Sequence, residues 1–279
     1  MNLCRLCPRN CRVDRWAGER GFCGAGAEAT VASAGPHFGE EPCLVGRGGS
    51  GTIFLAGCNL RCVFCQNFDV SHRLVGEAMD ASGLARLMLA LGARGCENIN
   101  FVTPTHVAAA LAEAIVEARQ RGLGVPIVWN SSGYESVEVL RLLEGLVEIY
   151  MPDFKFGCSE SAERYCRAPD YPQRAREALR EMQRQVGDLV IEGGVARRGL
   201  LVRHLVMPGG LEESREILSF LASLSPRTFV NVMGQYRPEG VPATAEGRAE
   251  YPEIARQPTG KEIAEARAEA QRLGLRLAR

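Results

Sequence analysis

The segment Thr52–Asn67 reads TIFLAGCNLRCVFCQN and joins a short apolar run to a loop that carries three cysteines. Cys58, Cys62 and Cys65 are separated by three and then two residues. Metal sites built only from thiolates usually use four of them. The spacing therefore raises the question of why this loop offers three thiolates and no fourth.

An iron–sulfur cube answers that question, because three thiolates on a [4Fe–4S] cluster leave one iron free to bind a reactant. A zinc site completed by His72 is an alternative, but His72 lies in an ordinary polar segment at some distance from the loop. Chance spacing of core cysteines is a second alternative, and three cysteines within eight residues argue against it. The loop thus predicts a three-ligand cluster.

Outward from this loop, the chain alternates short apolar runs with helical patterns, which predicts right-handed βαβ units and a parallel sheet. We expect a curved, partial (βα)6 barrel, with an open doubly wound sheet as the alternative and an added hairpin at Asp188–Val202. The predicted strands are 52–56, 98–102, 126–129, 147–151, 200–207 and 228–233. The predicted helices are about 80–94, 106–121, 135–145, 172–186, 211–224 and 259–273.

The predicted organisation is a cysteine-rich metal-binding module at 1–48 and a barrel with a C-terminal extension at 49–279. Functional side chains gather at the carboxyl ends of parallel strands, where the cysteine loop also falls. The formal net charge is zero, so no electrostatic binding of nucleic acid or membrane is expected. No apolar run approaches the length of a membrane span, and no signal segment is apparent, so a cytoplasmic location is expected.

The cysteine motif, with the aromatic Phe64 before its last cysteine, resembles the signature of radical S-adenosylmethionine (SAM) enzymes. Further motifs extend the resemblance over nearly the whole chain, toward a branch related to pyruvate formate-lyase activating enzymes. These motifs are CRLCPRNC, FCGAG, EEPC, NFVTPTHV, WNSSGYE, PDFKF, VRHLVMPG and VNVMGQYRP.

The resemblance implies a radical SAM fold and an oxidoreductase-type enzyme. It implies that SAM binds the open iron, and that an electron from the reduced cluster cleaves SAM to methionine and a 5′-deoxyadenosyl radical. That radical abstracts hydrogen from a substrate, while the protein positions the reactants and excludes water. An electron donor such as a flavodoxin or a ferredoxin is implied as a partner.

The resemblance also assigns roles near SAM. It places Phe64 beside the adenine and Asn67 next to the cofactor, with a core phenylalanine as the alternative for Phe64. Related activating enzymes carry a Gly-Gly-Glu-type element after the second strand, where this chain has VTPTH. Thr103, Thr105 and His106 are then the candidate hydrogen-bonding groups, without the carboxylate, and Thr105 as a helix cap is the alternative.

The later strand ends supply the remaining candidates. Asn130 and Ser131 suit contacts to ribose or carboxylate, with a turn before a cap near Ser136 as the alternative. Asp153 and Lys155 resemble the Asp-x-Lys element of the activating enzymes, with a surface ion pair as the alternative.

On the fifth strand, only one of Arg203 and His204 can face the barrel interior. The resemblance favours Arg203 as the partner of the SAM carboxylate, and His204 is expected to face a helix. After the sixth strand, Gln235 is a candidate at the barrel mouth, with an ordinary C-terminal loop as the alternative.

A second set of cysteines, Cys4, Cys7, Cys11 and Cys23, has the number of thiolates that closes a metal site. A structural zinc ion or an auxiliary [4Fe–4S] cluster fits this set. Cys43 is an outlier that could replace Cys23.

The leading function is hydrogen abstraction from a substrate, such as a glycyl-radical-activase-like modification of a partner protein. The alternatives are a radical SAM reaction on a small molecule, an iron–sulfur electron carrier without catalysis, and a zinc-stabilised binding module.

Overall fold

The computed structural model describes residues 3–278 and builds a ten-stranded, mostly parallel sheet from them. All six predicted parallel strands are confirmed. The strands are β1 (Ala29–His37), β2 (Ser50–Leu55), β3 (Glu77–Met79), β4 (Ile99–Val102), β5 (Ile127–Ser131), β6 (Ile149–Pro152), β7 (Val190–Glu192), β8 (Val195–Leu205), β9 (Phe229–Met233) and β10 (Arg276–Leu277). The predicted hairpin is confirmed as well, because β7 pairs antiparallel with β8.

The helices connect these strands, and each of the six predicted helices is present. They are α1 (Pro42–Val45), α2 (Phe68–Arg73), α3 (Ala81–Ala93), α4 (Ala108–Gln120), α5 (Val137–Leu142), α6 (Ser159–Cys166), α7 (Tyr171–Val186), α8 (Leu211–Leu224), α9 (Ala245–Glu250) and α10 (Gly260–Arg272). Local signals fix the boundaries, as at α10, where Thr259 and Glu262 form a capping box. Short 3-10 helices occur at Thr105–Val107, Val241–Ala243 and Pro252–Ile254.

The strand order shows how the sheet is wound. Neighbouring strands run β10-β9-β8-β6-β5-β4-β2-β1-β3, so the parallel strands follow their order in the chain without reversal. A doubly wound sheet reverses its order at a switch point. The doubly wound alternative therefore does not describe this sheet.

The N-terminal segment contributes to the sheet, which the sequence analysis did not foresee. β1 pairs antiparallel with β2 on one side and with β3 on the other, although it lies within the segment assigned to the cysteine-rich module. Helix α1 places Cys43 and Leu44 in an apolar cluster with strand residues such as Val128 and Leu201. Of the predicted 1–48 module, the described part that precedes the sheet is residues 3–28.

Alternation along the strands separates two faces. Ile53, Phe101 and Trp129 are fully buried in the large core beneath the helices. Residues of the opposite parity, such as Asn130 and Arg203, line a cavity on the other face. This arrangement places polar side chains at the carboxyl ends of the strands.

Candidate functional site

A cavity of about 990 Å³ lies at the carboxyl ends of the parallel strands. The thiols of Cys58, Cys62 and Cys65 line it together with residues from β4, β5, β8 and β9 and from the segments that follow β6 and β9. Most of the predicted cofactor-binding and catalytic residues lie here: Phe64, Asn67, Thr103, Asn130, Ser131, Asp153, Lys155, Arg203 and Gln235. The fold thus brings together residues that are up to 177 positions apart, from Cys58 to Gln235.

The cysteine loop begins immediately after β2 at a residue that must be glycine. Gly57 has a φ of 88°, and a Cβ there would lie 2.8 Å from the carbonyl oxygen of Cys23. Beyond it, the backbone N–H groups of Leu60 and Arg61 donate to the sulfur of Cys58 at 3.3 and 3.5 Å. The loop therefore surrounds its first thiol with donors, an arrangement that suits a thiolate.

The three thiols differ in their surroundings. Burial raises the pKa of Cys58 to about 12 and also raises the pKa of Cys65. The thiol of Cys166, with its sulfur 3.3 Å from that of Cys62, lowers the pKa of Cys62 against the effect of burial. In the sequence, Cys166 has no other cysteine at ligand spacing. The contact joins residues 104 positions apart, so no local spacing could have revealed it.

Phe64 is both a core residue and part of the cavity wall. It is 4% exposed, and its ring meets those of Phe156, Tyr165 and Tyr236 edge-on at centroid distances of 5.6–6.2 Å. These contacts hold the Phe64 side chain against the segment after β6, helix α6 and the segment after β9. A rigid aromatic wall is what an adenine ring needs to stack against.

The VTPTH segment divides into one residue at the cavity and two outside it. Thr103 lines the cavity with a φ of 62°, whereas Thr105 and His106 are fully buried away from it. The hydroxyl of Thr105 donates to Glu135 at 2.7 Å, and Nε2 of His106 lies 2.8 Å from the carbonyl oxygen of Ala56. The structure therefore does not place Thr105 and His106 where a cofactor in the cavity would contact them.

The helix-cap alternatives also differ from expectation. Thr105 begins a 3-10 helix and makes no capping bond, because its hydroxyl is taken by Glu135. Ser136 stands at the N-cap of α5, but its hydroxyl donates to Glu138 instead of accepting from the helix backbone.

Asp153 and Lys155 form an ion pair inside the cavity. Their side chains are only 20% and 15% exposed, so the alternative of a surface ion pair is wrong. Burial alone would lower the pKa of Lys155, but the neighbouring Asp153 carboxylate and Cys62 raise it above its usual range. A fixed ammonium therefore stands next to the cysteine loop.

Arg203 faces the cavity, while His204 faces helix α8, as alternation predicted. Nδ1 of His204 meets the carbonyl oxygen of Phe154, and Nε2 meets the hydroxyl of Ser214, both at 2.8 Å. Arg203 extends toward the residues that precede α1, which also line the cavity.

The carboxylates of Glu40 and Glu41 hold Arg203. Nη2 of Arg203 donates to both carboxylates, and Nε donates to Glu41 at 2.7 Å. Burial opposes ionisation of Glu41, but Arg203 and the amide of Asn231 lower its pKa. Only Nη1 of Arg203 points elsewhere, 3.5 Å from Oδ1 of Asn130. Glu40, Glu41 and Asn231 are site residues that the sequence analysis missed, although EEPC was among the motifs quoted.

The remaining polar wall comes from β5 and its extension. Ser131 and Ser132 are nearly buried, and the Ser131 hydroxyl accepts from the backbone N–H of Gly133 at 3.2 Å. The Ser132 hydroxyl donates to Asn59 in the cysteine loop at 3.4 Å. Gln235 closes the opposite side, where its carbonyl oxygen accepts from Gln66 at 3.3 Å.

The N-terminal cysteines lie directly behind the cysteine loop. Arg9, between Cys7 and Cys11, donates to the carbonyl oxygens of Asn59 at 2.9 Å and Cys166 at 2.6 Å. Its guanidinium also stacks on the ring of Phe22 at 3.8 Å. The N-terminal segment is thus attached to the loop through Arg9.

Cys43 does not lie with this set. It is buried in the apolar cluster of α1 on the interior face of the sheet, so it is not placed to replace Cys23. His72 does not complete a zinc site either, because its ring stacks on Phe68 at 4.0 Å and its Nδ1 lies 2.8 Å from Ser71. Within residues 3–278, no three His, Cys, Asp or Glu side chains are arranged to hold a single metal ion.

The donor set at the cavity fits an iron–sulfur cluster. Three thiols line one end of a cavity large enough for a cluster and a cosubstrate, and the other lining groups are polar or charged. Cys58, Cys62 and Cys65 would hold the cluster and leave one iron facing the cavity.

Comparisons with known proteins agree with this site. The profile of the radical SAM superfamily matches residues 52–221. The uncharacterised protein MJ0674 of Methanocaldococcus jannaschii is 33% identical over 284 aligned positions, covering 98% of this chain and 76% of the relative.

A crystal structure of Streptococcus suis SuiB, bound to the precursor peptide SuiA, superposes with a TM-score of 0.52 at 13% identity. The superposition covers 79% of this chain, and the chain spans less than half, 46%, of SuiB. In the described part of the chain, no helix has the length and apolarity to cross a membrane. From the profile match, which spans more than half of the chain, the chain belongs to the radical SAM superfamily.

Proposed function

We propose that this chain holds a [4Fe–4S] cluster through Cys58, Cys62 and Cys65, cleaves SAM reductively, and abstracts hydrogen from a substrate. The observation that carries the proposal is that the three thiols share one cavity with polar residues from five successive segments of the sheet. When bound, the cluster and SAM supply the one-electron cleavage that begins the radical chemistry. The chain itself binds, orients and shields the reactants.

We assign different lining residues to different parts of SAM. Phe64 supplies an aromatic wall for the adenine, and Asn67, Asn130 and Ser131 supply hydrogen bonds to the ribose and the methionine end. Thr103 stands where the activating enzymes carry a carboxylate, so its hydroxyl and backbone take over the contact to the SAM amino group.

Two cations bind the anionic parts of the reactants. Lys155, held by Asp153, lies beside the cysteine loop and is suited to a carboxylate. Arg203 offers Nη1, the nitrogen that Glu40 and Glu41 do not occupy. Gln235 is assigned to the substrate side of the cavity.

The first candidate substrate is a residue of a partner protein, as in glycyl-radical activation. The resemblance of Asp153-x-Lys155 to the activating enzymes supports it, as does a cavity at the upper end of the usual range of about 300–1,000 Å³. SuiB, which shares the fold, was crystallised with a peptide.

The second candidate substrate is a small molecule, and a specific observation favours it. The N-terminal segment, through Glu40 and Glu41, and the segment after β9, through Gln235 and Tyr236, both line the cavity. Val241 also donates its backbone N–H to Val63 in the cysteine loop at 2.8 Å. Walls on these two sides suit an enclosed substrate better than an entering loop.

Two further parts of the proposal concern electron supply. We assign a flavodoxin or ferredoxin as the external donor, and an auxiliary metal site to Cys4, Cys7, Cys11 and Cys23. The backbone N–H of Phe22, the residue before Cys23, donates to the sulfur of Cys11 at 3.5 Å, so Cys11 and Cys23 lie near one another. The metal there is an auxiliary [4Fe–4S] cluster, or zinc as the alternative.

An anaerobic assay tests the function. The reconstituted protein, given SAM and dithionite, is expected to form 5′-deoxyadenosine, and Cys62→Ala is expected to abolish it. Cys4→Ala separates the two metal sites, because retained cleavage means that the N-terminal site does not deliver the primary electron. A red-brown protein that forms no 5′-deoxyadenosine would be an electron carrier, and a colourless zinc protein would be a binding module.

The same assay distinguishes the substrates. Deuterated cell extract is divided by mass, and each fraction is added to the reaction. Deuterium transfer into 5′-deoxyadenosine from the high-mass fraction identifies a protein substrate, and transfer from the low-mass fraction identifies a small molecule.

A further inference from the structure

Cys166 stands apart from the chain's other cysteines because its thiol touches a cluster ligand. It ends helix α6, is 2% exposed, and its sulfur lies 3.3 Å from the sulfur of Cys62. That separation is within hydrogen-bonding range for two sulfur atoms. In the part of the chain that the structure describes, Cys62 is its side-chain hydrogen-bond partner.

The surroundings fix Cys166 against the cysteine loop. Arg9 donates to the carbonyl oxygens of Cys166, at 2.6 Å, and of Arg167, and the same guanidinium holds Asn59 in the loop. The loop also reaches back, since the backbone N–H of Val63 donates to the carbonyl oxygen of Tyr165 at 3.0 Å. The end of α6 is therefore attached to the cysteine loop through backbone groups, which places the Cys166 thiol beside Cys62.

Chemistry decides the direction of the hydrogen bond. A cysteine that ligates iron is a thiolate and can only accept. The proton between the two sulfurs must then belong to Cys166. Cys58 already receives backbone N–H donors from Leu60 and Arg61, whereas the donor to Cys62 comes from a distant helix.

We propose that Cys166 is a positioning residue whose thiol donates a hydrogen bond to the Cys62 ligand and raises the reduction potential of the cluster. Hydrogen bonds to ligand sulfurs are among the factors that set iron–sulfur potentials. A donor stabilises the reduced cluster more than the oxidised one, because the reduced cluster carries more negative charge. The inference rests on the proposed cluster, and it concerns electron acceptance rather than the identity of the substrate.

The test compares the anaerobically reconstituted full chain as wild type, Cys166→Ala and Cys166→Ser. Cys96→Ala is the matched control, since Cys96 is also 2% exposed but lies at the opposite end of β4. Iron and sulfide content are measured first. The midpoint potential is then measured without SAM by a dithionite titration followed by electron paramagnetic resonance, with Cys58→Ala identifying any signal from the N-terminal cysteines.

We expect Cys166→Ala to keep the wild-type iron and sulfide content and to titrate at a more negative potential. Cys166→Ser, which retains a donor, is expected to fall between Cys166→Ala and wild type, and Cys96→Ala to match wild type. A Cys166→Ala potential equal to that of Cys96→Ala overturns the inference. Loss of iron in Cys166→Ala, but not in Cys166→Ser or Cys96→Ala, overturns it too, because Cys166 would then support cluster assembly. Absence of any cluster in the wild type would instead refute the proposed function.

Discussion

Thr103 holds a left-handed backbone conformation that a β-branched residue rarely adopts. Its φ of 62° persists because its backbone N–H donates to the carbonyl oxygen of Asn130 at 2.8 Å, at the edge of the cavity. Strain of this kind costs on the order of 1–3 kcal/mol and gathers at functional sites. In the proposed function, this strained residue takes the place of the activating enzymes' carboxylate element.

We predict that Thr103→Gly raises the unfolding free energy by about 1 kcal/mol and weakens SAM binding. Glycine relieves the backbone strain, while the hydroxyl that faces the cavity is lost. Thr103→Ala is the control, since it removes the hydroxyl and keeps the strain. Urea unfolding and SAM titration measure the two effects. A Gly variant that binds SAM as tightly as wild type would contradict the role assigned to this residue.

His106 gives the protein a specific pH dependence. Burial lowers its pKa to about 4, and its Nδ1 has no hydrogen-bond partner among residues 3–278, so protonation would leave a buried charge unpaired. Because the folded pKa is depressed, the stability is present above the unfolded value of 6.5 and is lost as the pH falls toward 4.

From these values His106 alone should cost about 2 kcal/mol of stability between pH 7 and pH 5. His106→Gln keeps a donor for the carbonyl oxygen of Ala56. Between pH 7 and pH 5, this variant is predicted to lose about 2 kcal/mol less unfolding free energy than the wild type. Urea unfolding of both proteins at the two pH values measures the difference. Parallel pH profiles would show that His106 is not the responsible group.

Single residues of the site were predictable where the motif is local. Cys58, Cys62 and Cys65 follow from spacing alone, and the opposite facing of Arg203 and His204 follows from strand alternation. Glu41 and Cys166 were not predictable, because each meets its partner across more than 100 positions of sequence.

Among elements, the helices and parallel strands were predictable because each buries a continuous apolar face. β1 was not predictable, because its sequence ATVASAGPH shows little alternation of apolar and polar residues. Its side chains are also less buried in the second half of the strand than in the first. Its place beside β2 depends on antiparallel pairing, which gives no regular repeat of strand and helix. α1 is only four residues long and has no periodic signal.

Arg9 links three elements: the N-terminal segment, the cysteine loop and the end of α6. We predict that Arg9→Ala lowers the unfolding free energy by about 2–3 kcal/mol and speeds iron release to a chelator. Arg5→Ala is the control on the same segment, because Arg5 is exposed. Urea unfolding and the decay of cluster absorbance are the measurements. Equal iron release from the two variants would argue against Arg9 as the link.

Over the whole molecule, the chain-order winding of the parallel strands brings distant strand ends to one cavity. The N-terminal segment and the segment after β9 complete its walls. A general rule of parallel sheets predicts that functional side chains gather at the strand ends. The Glu40 and Glu41 contacts were not predictable, because the path of an irregular segment depends on tertiary packing.

The most direct test is electron paramagnetic resonance of the reduced, anaerobically reconstituted protein before and after SAM is added. The account predicts an iron–sulfur signal that changes when SAM is added and that is absent from a Cys58→Ala, Cys62→Ala, Cys65→Ala protein. A signal from the three-cysteine centre that SAM leaves unchanged, or zinc in place of iron at that centre, would contradict the account.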